Sequence, residues 1–162
     1  MRTCYLVAKA TRLTSFHSIL GIVVAAAFAV VAALGWWLWR SGGTSRVFWR
    51  LLRGSQVLYL GYLVIAGVRF FTGQKPDDSL YWVYALLPLA VSFIAEQLRI
   101  AAAQTVLDAR DLEDARAVGR LPADEQRGVV VAILAREIGV MAIAALVIAG
   151  LMLRASLGFG AY

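Results

Sequence analysis

Apolar residues fall into four long runs separated by short polar or charged stretches. The first lies between Arg12 and Arg40, LTSFHSILGIVVAAAFAVVAALGWWLW, with His17 as its single ionisable side chain. The second covers about 51–72, with Arg53 near its start and Arg69 near its end. A third begins near Ser79, and a fourth runs from about Val129 to Leu153, with Arg136 and Glu137 in its first part. A helix needs roughly 20 apolar residues to cross a hydrocarbon core. The runs therefore predict membrane spans at approximately 13–39, 51–72, 79–100 and 129–153.

The connections differ in character. RSGGTSRVFWRLLR carries four arginines and a Gly-Gly turn, and TGQKPDDS reads as a short turn around Pro76. The third, AAAQTVLDARDLEDARAVGRLPADEQR, is long and charged. Arg110 with Asp114, and Glu113 with Arg116, have the spacing of neighbours on an exposed helix. Gly119 can end that helix, and LPADE starts another, with proline early and acids in the first turn. The fold expected is all-α: a four-transmembrane-helix bundle forming one domain over 1–162. Helices 3 and 4 would extend beyond the membrane as a charged hairpin, about 101–128.

Composition supports this class. Hydrophobic residues make up 61% of the 162 and charged ones 16%, far from the balance of a soluble domain. The net charge of +6 comes from cations flanking apolar runs, which favours a lipid bilayer as partner and argues against nucleic acid. More lysines and arginines lie in loops one and three than on the opposite side. Loops 40–50 and 101–128 are therefore expected to be cytoplasmic, although the basic N-terminal stretch argues the other way. That stretch is read as part of a retained span and not as a secretory signal. The apolar run is too long for a signal and ends in WWLWR, an interfacial belt shared with Phe48 and Trp49. Cys4 is the only cysteine, which excludes an intrachain disulfide.

Ionisable groups inside spans are costly unless paired, so they are the first candidates for chemistry. Tyr84, Pro88, Ser92 and Glu96 recur every fourth residue and should share an inward face. Glu96 and Arg99 close the third span while Arg136 and Glu137 open the fourth, predicting crosswise pairs Glu96–Arg136 and Arg99–Glu137. Gln97, Gln104 and Gln56 could add hydrogen bonds. An ion-pair lock that fixes helix register is favoured over a proton relay or substrate site. Near the opposite face, His17, Ser18, Arg69, Tyr81, Tyr84, Met152 and Arg154 should lie at similar depth. His17 with Met152 is the one His/Met combination for an axial haem pair. No cofactor is favoured, and haem is the lesser alternative.

Small residues at every fourth position, Gly21, Ala25, Ala29 and Ala33, with Ala145 and Ala149, predict close helix contact. Gly54, Gly61 and Gly67 could thin the second span for the same purpose. No P-loop, dinucleotide fingerprint, HExxH, GxSxG or CxxC occurs, so no catalytic motif and no metal site is evident.

In its general layout the whole chain resembles small four-span integral membrane proteins of uncharacterised bacterial families. Four-span cytochrome b-like proteins are also similar in layout, but they carry histidines on facing helices, and LYWVYA at the start of the third span has none. The resemblance implies a bacterial inner membrane location. The leading expectation is a non-enzymatic structural or accessory component, in a homo-oligomer or a larger membrane complex. Alternatives are a small transporter or ion conduit using Ser92, Glu96, Gln97 and Glu137, and a haem-binding redox protein through His17.

Overall fold

The computed structural model describes the backbone of residues 2–73, 80–112 and 115–158, and side chains over 17–73, 80–112 and 116–157. Cys4, most of the TGQKPDDS turn and the pairs expected for Glu113 and Asp114 lie outside the described residues. Within them the chain is all-helical: α1 (Arg2–Ser41), α2 (Arg46–Phe71), α3 (Tyr81–Asp108), the single turn α4 (Ala115–Val118) and α5 (Ala123–Gly158). Four of these helices are long and apolar enough to cross a membrane.

One spacing organises all four. On α1 a line of buried positions runs through His17, Gly21, Val24, Phe28, Val31, Gly35 and Leu38, with Ala25 and Ala32 buried beside it. Those of α2 are Phe48, Leu52, Ser55, Tyr59, Tyr62 and Ala66. On α5 the same alternation of three and four residues runs through Ile138, Met141, Ala145, Ile148, Met152 and Ala155. On α3 it runs through Tyr81, Ala85, Pro88, Ser92, Ala95, Arg99, Ala102 and Val106, with Ser92 and Arg99 half-buried. A repeat averaging 3.5 residues keeps a straight seam only between helices that wrap left-handedly at a shallow angle.

That repeat corrects the small-residue ladder. Steps of four overshoot a full turn by about 40° each, so a strict i+4 row drifts off the seam. Gly21 and Ala25 are buried, but Ala29 and Ala33 face outward, and Phe28 and Ala32 take their places. Gly54 and Gly61 of α2 also face outward, and a Cβ added at Gly54, Gly61 or Gly67 would meet nothing within 4 Å. Ala145 and Ala149 are buried as expected.

The helices do not contact one another evenly. α1 packs most extensively on α5, α3 also packs on α5, and α2 leans on α1. The α1–α5 seam is antiparallel. A Cβ on Gly21 would collide with the Ser156 hydroxyl, and one on Gly35 would come within 2.7 Å of the Ala142 methyl. The Trp39 indole lies flat on Gly139, 3.0 Å from where a Cβ would sit. Side chains from all four long helices join one contiguous apolar core, including Phe28, Phe48, Ala95 and Met141. Outward faces are just as apolar: Val57 is 69% exposed, Phe93 67% and Leu146 63%. Water does not tolerate such a surface, and lipid does.

Helix ends are set by local chemistry. Ser45 caps α2, its hydroxyl accepting from the Val47 N–H at 3.2 Å, so only Gly42–Ser45 remain as loop and RVFWR is helical. Helix two thus starts five residues before the apolar run does, because a serine cap and not hydropathy decides where it begins. α1 ends with Gly42 at φ 65° and the Gly43 N–H on the Leu38 carbonyl at 3.0 Å, a reverse turn that needs glycine's freedom. α3 ends the same way with Asp111 at φ 54°, its N–H on Asp108 and that of Leu112 on Leu107. Aspartate tolerates this left-handed geometry better than most residues. The charged stretch is consequently not one helix continued to Gly119; it turns at Asp111 and, among the described residues, holds the single turn α4 before α5. α5 does begin as the sequence suggests, just after Pro122 with Asp124 and Glu125 in its first turn.

Candidate functional site

Two polar clusters lie at opposite ends of the core. The first gathers at the α2 N-terminus and the C-terminal half of α3. Glu96 sits one position beyond the buried Ala95, which swings it about 100° off the seam and toward α2. There Arg53 Nη1 meets Glu96 Oε1 at 2.9 Å, and Arg99 Nε meets Glu96 Oε2 at 3.1 Å. Arg53 Nη1 also donates to Gln56 Oε1 at 2.8 Å, and the Arg99 guanidinium lies 5.4 Å from the Trp49 ring centre. One carboxylate therefore holds two guanidinium groups.

The crosswise lock between α3 and α5 is not what forms. Among the described residues no ion pair joins Glu96 to Arg136 or Arg99 to Glu137. Arg136 precedes Ala145 by nine residues, about 180° around the helix, so it points away from the seam and is exposed. Glu137 is half-buried on the flank, near the charges of Arg99 and Glu96 without a direct bridge. The charges of α3 are neutralised from α2 instead. Gln97 is exposed on the outer face, and Gln104 is spent within its own helix on Asp108 at 2.9 Å.

Below this ion triad α2 and α3 separate. An open groove of about 580 Å³ runs between them, topped by Arg53, Gln56 and Glu96 and continuing along Ser92, Phe93, Ala90, Leu89 and Leu86. Past the groove α2 returns to α3 through Tyr59, whose hydroxyl donates to the Ala85 carbonyl at 2.7 Å. That contact falls one turn before Pro88, where α3 lacks a backbone N–H.

The second cluster joins three helices. Tyr81 at the start of α3 bonds through its hydroxyl to His17 Nε2 at 2.7 Å and to the Tyr62 hydroxyl at 2.9 Å. The His17 ring stacks on Tyr62 with centroids 4.5 Å apart, and His17 is 2% exposed. Arg69 is the charged neighbour of this group. Of the residues expected at this face, His17, Arg69 and Tyr81 come together. Tyr84 instead lies under the Arg154 guanidinium, 5.4 Å away. Tyr62 and Tyr59 were not among the sequence candidates. Their signal was the four-three spacing from Phe48 to Ala66, which puts both on the inward line of α2.

A haem held by His17 and Met152 does not fit these residues. The antiparallel register that sets Gly35 beside Ala142 puts Met152 level with Ala25, eight residues and about 12 Å along the axis from His17. The His17 nitrogen is engaged by Tyr81, and Met152 is fully buried in the apolar core. Among the described residues, no three His, Cys, Asp or Glu side chains group as metal ligands.

No family model, curated protein or solved structure matches this chain.

Proposed function

We propose that the chain is a non-enzymatic, multi-pass component of a bacterial inner membrane, acting as a structural or accessory subunit. In this reading loops 40–50 and 101–128 are cytoplasmic. The charged segment, a bent hairpin carrying Arg110, Asp111, Arg116, Arg120, Asp124, Glu125 and Arg127, is the contact surface for a homo-oligomer or a larger complex. The observation that carries it is the state of Glu96. Its carboxylate is clamped by two arginines, and contiguous apolar packing separates it from the His17–Tyr62–Tyr81 group. A relay carboxylate must release its partners to exchange protons or ions, and this one is built into a helix–helix tie.

The conduit alternative ranks second. Of its four lining candidates, Gln97 faces outward, and Ser92 and Glu96 open sideways toward lipid. The experiment that tests the proposal has two arms. Reconstituted protein should leave proton and ion flux across vesicles at the protein-free level. Mild-detergent purification from native membranes should recover a discrete assembly that is lost when residues 111–122 are replaced by a Gly/Ser linker. Flux that disappears in Glu96→Gln would overturn the structural reading in favour of transport.

A further inference from the structure

The groove between α2 and α3 has a shape and a charge pattern that the structural role does not use. We infer that it is a binding site for one anionic phospholipid, with an acyl chain lying along α3 and the phosphate held at Arg53. From Glu96 to Leu86 the groove follows ten residues of α3, about 15 Å, which is half of a ~30 Å hydrocarbon core and so the depth of one leaflet. Its walls are apolar along that length, with the small Ala90 and Ser92 leaving the room that larger side chains would fill. α2 contributes Arg53 and Gln56 at the mouth of the groove, and the two helices meet again past it, through Tyr59 on Ala85 and Tyr62 on Tyr81.

The open end is cationic. Arg46, Arg50 and Arg53 are spaced i, i+4 and i+7, one face of α2, and all three are exposed. Arg53 keeps 54% of its side chain accessible while Glu96 and Gln56 fix its guanidinium at the mouth. Arg53 lines the mouth, and Arg46 and Arg50 on the same exposed face of α2 give this end of the groove an excess of positive charge. A phosphate diester at interface depth matches that excess, since guanidinium groups bind phosphate oxygens in a forked geometry. A zwitterionic headgroup carries its own cation and gains less. A soluble anion would gain nothing from the apolar walls, so the occupant is a lipid.

The test is native mass spectrometry of the full chain in mild detergent. The protein is equilibrated with phosphatidylglycerol and phosphatidylcholine of identical acyl chains, and circular dichroism checks that each variant stays folded. Wild type should retain one phosphatidylglycerol in preference to phosphatidylcholine. Arg50→Gln, which breaks no ion pair, should lower that preference roughly fivefold, as removal of one interfacial arginine does. Arg53→Gln should remove the preference altogether. Ala90→Trp fills an exposed position of the groove without touching any charge, and should abolish retention of both lipids. Equal retention of the two lipids by wild type would overturn the inference, as would undiminished phosphatidylglycerol binding in Ala90→Trp.

Discussion

Single hydroxyl groups tie these helices together, and their removal has distinguishable effects. Tyr81 serves two partners, His17 and Tyr62, whereas Tyr62 and Tyr59 each make one hydrogen bond of this kind. Tyr59→Phe should therefore cost about 1 kcal/mol of stability in detergent, a typical net hydrogen bond. Tyr81→Phe should cost more, about 2–3 kcal/mol, because two buried groups lose the hydroxyl they share. Denaturant titration of both variants decides it: equal losses would mean that the Tyr81 hydroxyl is not the shared link. At Glu96 the balance is different, because Arg53 is half open to its surroundings and screening weakens the pair. Glu96→Gln should lower stability by about 1 kcal/mol, with melting temperature as the readout, while leaving helix content unchanged. Sequence reasoning found Glu96 and Arg99 but gave them the wrong partner. Hydropathy marks Arg136 as a charge inside a span, whereas only its angle to Ala145 reveals that it faces away. Arg53 was visible as an interruption of an apolar run, yet nothing local said that α2 would present it to α3.

The helices themselves were legible to within a few residues wherever apolar length decided them, and illegible where a cap did. Ser45 and Asp111 moved two boundaries because a single side chain or a left-handed residue outranks several residues of helix propensity. The seam was half legible. Counting in fours found Gly21 and Ala25 and then followed the wrong stripe, since supercoiling shows only in a strict alternation of three and four. This gives a sharp contrast between glycines of equal hydropathy. Gly35→Ala places a methyl 2.6 Å from the Phe48 ring and 2.7 Å from the Ala142 methyl, forcing α1 and α5 apart. It should cost about 1–3 kcal/mol, the usual penalty for overpacking. Gly61→Ala meets nothing within 4 Å and should be neutral or stabilising by up to about 1 kcal/mol, from helix propensity alone. Thermal melts of the two variants side by side would check the register of the whole α1–α5 contact. Similar melting points would contradict it.

At the scale of the molecule, four long helices are apolar enough to cross a membrane, and a chain that crosses with all four brings its two charged connections out on one side. In a Cys4→Ser background, single cysteines at Gly43 and Gly119 should react with an impermeant maleimide from the same side of sealed vesicles. Labelling from opposite sides would break the four-span topology. The antiparallel α1–α5 seam has a consequence for how the chain is assembled. A ribosome delivers α1 about a hundred residues ahead of the helix that covers its glycine face. During that interval Gly21 and Gly35 have only the earlier helices or lipid beside them, since their eventual cover is still unmade. Nascent α1 is then an open half-clasp, and any other membrane segment with small residues spaced by seven could close it first.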